Sequence, residues 1–267
     1  MGQTKNNKVG LVKSGSRIAK NGFKLEKEVA QKFCNWTIDA DAKKWLEQMG
    51  YNINHIEFVN ATTLNGFKAD LKVDIKIKLK NQIKTENIQV KLVSNTKGFN
   101  QVDKRRLKSY KKMWDIPDYV YRIFAHYTGE LSPYLQNSID KRRMFVNEFN
   151  QQEQEIFLNW LNINKLKIIN DILKGDGVNI TDWFLVIQKF ANINNSLIKN
   201  IDDVINYYLD NGNIQVTKRG TIKIGKITMQ RKGGDSGRDS AKMLQFKWMR
   251  KKLVCKKAAT YLQLFWF

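Results

Sequence analysis

Leu71, Val73, Ile75, Ile77 and Leu79 alternate with Lys72, Asp74, Lys76, Lys78 and Lys80. Successive side chains on a strand point to opposite faces, so this period of two predicts a strand with one apolar and one charged face. Ile53–Val59 and Ile88–Ser94 read as two further strands. Upstream, residues 23–49 read as helix. Phe23, Val29, Ala30 and Phe33 fall near one face, and Trp45, Leu46 and Met49 continue the stripe in a second segment that Gly50 stops. Gln101–Met113 is predicted to be a strongly basic helix. Pro117 and Pro133 punctuate a middle expected to be rich in loops. Gln151–Leu173 reads as one or two helices ended near Gly175 and Gly177.

The pattern then changes. Trp183–Lys189 is a predicted strand and Ile201–Tyr208 a short helix. Short strands follow near Ile214–Thr217, Thr221–Ile224 and Ile227–Arg231, with turns at Arg219-Gly220 and Gly225. No internal repeat is visible. The expected fold class is α/β (α+β), divided near residue 150. Residues 1–21 are a flexible basic arm, 22–150 an α/β part, 151–247 a β-rich part with helices, and 248–267 an atypical tail.

At 267 residues and 42% hydrophobic, the chain has room for one large domain or two modest ones. No apolar run approaches the roughly 20 residues that span a bilayer. The N-terminus carries charge but no apolar segment of a secretory signal. Met1-Gly2 starts like an acylation signal, but Asn6 stands where that pattern takes Ser or Thr. Cys34 and Cys255 do not make a disulfide framework, and Cys34 is expected to be buried in its helix. His55 and His126 are too few for a structural zinc site. A cytoplasmic protein with no membrane partner is expected. The net charge of +22, from 47 basic against 25 acidic residues, points to a polyanionic partner. A coding bias toward Lys, Asn and Ile would not deplete Asp and Glu, so the imbalance needs another reason.

Candidate chemistry sits where the strands meet. Gln89 and Lys91 share one strand face, while Ile88, Val90 and Leu92 point to the other. Asp70 opens the preceding strand. Hydrolysis of a phosphodiester needs hard oxygen ligands for a Mg²⁺ ion, a positioned water, and positive charge near the reacting phosphate. Asp70 would supply an anionic ligand, Gln89 a neutral oxygen and the Val90 backbone carbonyl another. Lys91 would orient or deprotonate the water, or offset developing charge. Glu26, at the start of the first helix, either joins this site or only favours the helix N-terminus. Taken alone, the pattern is equally that of a turn aspartate and a solvated strand lysine.

Longer stretches are more specific: GFKLEKEVA at 22–30, IQVKLVSNTKGFNQVDK at 88–104, HYTGELSPY at 126–134, DKRRMFVNEF at 140–149 and QRKGGDSGRDSAKMLQFK at 230–247. Together, from about Gly15 to Lys247, they resemble the HinP-type family of type II restriction endonucleases. The resemblance implies the PD-(D/E)xK nuclease fold, a mixed sheet flanked by helices with a second β-containing part that grips DNA. It implies bacterial origin, Mg²⁺-dependent cleavage of double-stranded DNA at GCGC after the first G, and a cognate cytosine methyltransferase as genetic partner. A monomer or weak homodimer is expected. Asp70, Gln89 and Lys91 match the family's metal-binding and catalytic positions, and Glu26 its N-terminal glutamate. Gln89 replaces the superfamily's usual acid as a family trait. Ala69 departs from the serine that commonly precedes the aspartate. The alternatives are a repair or recombination nuclease and a non-catalytic DNA-binding protein.

For base reading, the segment containing Gln230, Arg231, Lys232, Asp235 and Arg238 is the first candidate. Its Arg and Lys can donate to guanine and its Asp can accept from cytosine, with glycines allowing close approach. The other reading is a Gly-Gly hairpin with solvated charges. Phe99 is either a wedge entering the minor groove or a loop anchor, and Gln101 and Lys104 could add groove or phosphate contacts. Lys104-Arg105-Arg106 and Lys141-Arg142-Arg143 are expected phosphate contacts, Arg142 and Arg143 among them. The tail after Lys247 departs from the family and carries no assigned function.

Overall fold

The computed structural model describes residues 20–78, 82–94, 99–190, 193–217, 220–234 and 238–249. The expected arm and tail therefore fall almost wholly outside the described residues. Lys20 and Asn21, placed in the arm, are helical, and Trp248, placed in the tail, is a buried strand residue.

Two compact units form, and the chain interleaves between them. One gathers Met1–Thr96 with Lys174–Val204; the other gathers Lys97–Leu173 with Ile205–Phe267. The single boundary expected near residue 150 differs from this division. Local patterns cannot reveal that a strand near residue 185 pairs with one near residue 90.

In the first unit, α1 (residues 20–34) and α2 (Ala40–Gln48) are separated by a turn. Asp39 caps α2 by accepting from the Ala42 N–H at 2.9 Å. The sheet runs β1 (Ile56–Thr63), β2 (Leu71–Ile77), β3 (Gln82–Val93), β5 (Trp183–Phe190), β6 (Ile193–Asn200). Only β3 and β5 pair in parallel. The alternation in β2 holds, with Leu71, Val73 and Ile75 fully buried. They pack with Leu25, Val29, Phe33, Trp45, Leu46, Ile88, Val90, Leu185 and Ile187 in one core. Burial at this scale stabilises by roughly 1.5–3 kcal/mol per large apolar side chain. Cys34 is exposed rather than buried, and its sulfur accepts from the Ala61 N–H at 3.3 Å.

The second unit holds β4 (Phe99–Arg105), α3 (Leu107–Trp114), α4 (Asp118–Thr128), α5 (Gln151–Ile163) and α6 (Lys165–Leu173). After α7 (Ile201–Leu209) come β7 (Gln215–Val216), β8 (Ile222–Ile224), β9 (Ile227–Arg231) and β10 (Leu244–Met249). The sheet order is β4, β10, β9, β8, β7, all antiparallel. Tyr110 and Trp114 stack at 4.5 Å and meet Phe246 edge-on. Phe124 meets Phe157 at 4.7 Å.

Two predicted segments are corrected here. Gln101–Arg105 is strand, not helix, because it pairs with β10, a partner remote in sequence. The expected loop-rich middle contains α4, which starts directly after Pro117 and ends at Gly129 in the left-handed conformation. Strands β6 and β10 were not expected: β6 is rich in asparagine, and β10 was read only through its likeness to a family.

Candidate functional site

Antiparallel pairing of β2 with β3 sets Leu71 opposite Ile88. The residue before Leu71, Asp70, then donates its backbone N–H to the Ile88 carbonyl at 3.0 Å. Its carboxylate Oδ2 accepts the Val90 N–H at 2.6 Å. The N–H and C=O of one extended residue point to the same side of a strand, so the Val90 carbonyl faces the Asp70 edge. β2 ends at this point, which leaves that edge of β3 to the Lys68–Asp70 segment.

Lys91 Nζ lies 3.8 Å from Asp70 Oδ2, and both side chains are largely buried. Gln89 is 2% exposed. Its Nε2 donates to the Lys68 carbonyl at 3.1 Å, while its Oε1 is buried without a hydrogen-bond partner. That orphan oxygen is unusual, since a buried polar atom left unpaired costs about 1–3 kcal/mol. Glu26, on α1, feels both neighbours. Burial pushes its carboxyl above the ordinary value, the Asp70 charge pushes it further, and Lys91 opposes them. Thus Asp70 meets the Gln89–Lys91 stretch of β3 at one strand edge, and Glu26 of α1 lies within electrostatic reach of Asp70 and Lys91.

Among the described residues, no group of three or more His, Cys, Asp or Glu is arranged to hold a metal. The donor set here is instead two carboxylates, a carboxamide oxygen and a backbone carbonyl. Hard oxygens of that kind suit Mg²⁺, which keeps several waters and asks for few carboxylates. The unpartnered Gln89 Oε1 is the observation that fits a cation. The Lys68 carbonyl, which orients Gln89, could not be picked out from sequence because a backbone group leaves no residue signature.

Residues expected to touch nucleic acid spread over the second unit. Gln230 and Arg231 are neighbours on β9 and point to opposite faces. Gln230 lies opposite Gln245, which lies opposite Lys104. Gln245 Nε2 donates to Gln101 Oε1 at 2.9 Å, so Gln101, Lys104 and Gln230 share a face. Gln245 and Lys247 share that face and were not among the residues expected to touch nucleic acid. Their signal was present: Leu244, Phe246 and Trp248 alternate with them.

Arg231 instead joins a cluster with Arg142 and Arg143. Burial and these two like charges hold its guanidinium below the ordinary value, with Asp140 opposing. Arg142 binds Asp140 through Nε at 2.8 Å and a terminal nitrogen at 3.0 Å. The Arg142 side chain is 68% exposed and that of Arg143 16%. Arg143 lies over the Phe145 ring at 4.1 Å. The two arginines expected to act alike are therefore placed differently. Arg105 is held by Asp103 at 3.2 Å and Arg106 by Asp239 at 3.1 Å.

Lys232 is half-buried, and its N–H donates to the Met243 carbonyl at 2.8 Å. Gly233 and Gly234 follow with positive φ near 66°. Arg238 is exposed at the start of a short 3-10 turn. Asp235 lies outside the described residues, as do residues 95–98 and the Phe99 side chain.

Comparison with known proteins adds an independent line. The family model for R.HinP1I restriction endonuclease matches residues 49–254, well over half of the chain. A search of curated proteins found no match. Among solved structures, restriction endonuclease MspI in complex with its cognate DNA matches with a TM-score of 0.59 at 15% identity. The match covers 84% of this chain and 87% of that one, a likeness of fold.

Proposed function

The chain belongs to the R.HinP1I restriction endonuclease family, and from that premise we propose that Asp70, Gln89 and Lys91 are the hydrolytic centre of a type II enzyme cutting double-stranded DNA. The observation that carries this reading is the Lys91 ammonium 3.8 Å from the Asp70 carboxylate, with the Oε1 of Gln89, two residues before Lys91 on β3, buried and unpartnered. Asp70, Gln89 Oε1, the Val90 carbonyl and Glu26 would hold Mg²⁺. When bound, the ion would polarise the phosphate and acidify water. Lys91 positions the attacking water or offsets the negative charge that grows on the phosphate. Water attacks phosphorus, the 3′ oxygen leaves, and the product carries a 5′ phosphate.

The family resemblance suggests GCGC as the site, cut after the first G, with a cytosine methyltransferase protecting host DNA. MspI was solved with its cognate DNA, which supports duplex DNA as the partner. Gln230, Arg231, Lys232, Asp235 and Arg238 are the proposed base readers. Phe99, Gln101 and Lys104 are proposed groove contacts, and Arg142 and Arg143 are proposed for phosphate.

The test is digestion of plasmid DNA with Mg²⁺ or with EDTA, followed by sequencing of the ends. Discrete fragments with 5′ phosphates in Mg²⁺ alone are expected. A smear, cutting confined to branched DNA, or binding without cleavage in Mg²⁺ would reject the reading.

A further inference from the structure

The sheet of the second unit has two unlike faces. Ile227, Met229, Phe246 and Trp248 share the inner one and are fully buried or nearly so. Register and pleat put Lys104, Gln245 and Gln230 in one row on the opposite face, and Gln101, Lys247 and Thr228 in the next. These six adjoining positions hold two lysines, three carboxamides and a hydroxyl, with no carboxylate among them. The one acid of these three strands sits elsewhere: Asp103 lies opposite Phe246, on the inner face.

Two of the carboxamides are already fixed. Gln245 is 7% exposed and donates to Gln101 at 2.9 Å. The bond spends one N–H of Gln245 and engages the Gln101 oxygen. Gln101 keeps both N–H groups, and Gln245 keeps its oxygen and a second N–H. Donor and acceptor therefore stand side by side in locked orientations, the arrangement that meets a base edge bidentately. Beside them Lys247 is half-buried, and burial holds its ammonium below the ordinary value. A desolvated lysine among six positions that hold no carboxylate suits an anion brought by a partner.

We infer that this face, centred on Gln245 and Lys247, meets DNA directly, with the Gln245–Gln101 pair reading a base edge and Lys247 meeting a backbone phosphate. The inference deepens the proposed function and rests on its duplex-DNA partner. Sheet faces and ribbons do enter grooves in other DNA readers.

The experiment selects randomised duplexes on the full chain in EDTA, so that binding is read without cutting. It compares wild type with Gln245→Leu, Gln101→Leu, Lys247→Met and Lys247→Arg. Gln245→Leu should lose preference at one base pair, or a symmetric two, by about tenfold or more, and keep the rest. Gln101→Leu, at an exposed position safe for folding, should relax the same base pair. Lys247→Met should weaken every sequence alike and reduce the log–log salt slope by about one, and Lys247→Arg should restore it. Wild-type motif and affinity in all variants overturn the inference, as does a wild type that selects no motif. If wild type selects a motif that the variants change as expected but never cuts in Mg²⁺, the hydrolytic reading fails and this one stands. If it cuts at discrete sites and the variants select as wild type does, this one fails alone.

Discussion

The Asp70 carboxylate accepts the Val90 backbone N–H at 2.6 Å, across a gap of twenty positions in the chain. This bond fixes the carboxylate against the edge of β3, with one oxygen engaged. It also explains why the charged pair with Lys91 survives at partial burial: a carboxylate taken from water needs hydrogen bonds as well as a counter-charge.

Lys91→Met should cut DNA slower by on the order of 10²–10⁴-fold, the range for losing a group that moves or steadies a proton. DNA affinity in EDTA should be largely intact, because Lys91 is proposed to act on water. Parallel measurement of cleavage rate and binding checks this, and loss of both together would argue for a phosphate contact instead.

Gln89→Leu should leave the metal-free protein as stable as wild type or more so. The change forfeits one hydrogen bond to Lys68, worth about 1 kcal/mol net, and removes an orphan oxygen that costs about 1–3 kcal/mol. Cleavage should vanish. Thermal unfolding gives the sharper test: Mg²⁺ should raise the midpoint of wild type and not of the variant, since only a ligand bound to the folded state stabilises it.

Gly175→Ala should destabilise by about 1–3 kcal/mol. Its φ is +84°, and an added Cβ would sit 2.7 Å from Lys68 Cβ. Lys68 holds the Gln89 amide, so cleavage should fall as well. Urea unfolding and digestion read both effects; a variant with wild-type stability would show that the segment yields freely.

Asp140→Asn should tighten non-specific DNA binding, because Arg142, Arg143 and Arg231 lose a shared counter-charge. Arg142's hydrogen bonds hold the Asp140 carboxyl below its ordinary value, although burial opposes them. A depressed carboxyl contributes stability above its unfolded value of about 3.9, and that contribution fades as pH falls through the folded value. The urea midpoint of wild type should therefore drop more steeply below about pH 4 than that of the variant. Equal slopes would show that the pair adds nothing measurable.

The period of two in β2 and the apolar stripes of α1, α2, α5 and α6 were legible because each is a local pattern tied to one buried face. Asp70, Gln89 and Lys91 were legible as candidates for the same reason, as the strand alternation sets their faces. What stayed hidden was settled by distant pairing. Gln101–Arg105 carries no strand pattern of its own and becomes one beside Leu244–Met249. The link between Arg231 and Arg142 depends on packing in the second unit that no spacing encodes. Gln245 and Lys247, the proposed DNA contacts of β10, carried a local signal in their alternation with Leu244, Phe246 and Trp248.

The parallel pairing of β3 with β5 has a consequence for synthesis. A ribosome that has released the first 150 residues has made Glu26, Asp70, Gln89 and Lys91, but not Trp183–Phe190, the neighbour strand on their far side. The emerging polypeptide then holds Gln89 and Lys91 on a strand with a bare margin. Its completion waits for translation to run on past Phe190, which delays assembly of the proposed centre well beyond synthesis of its own side chains.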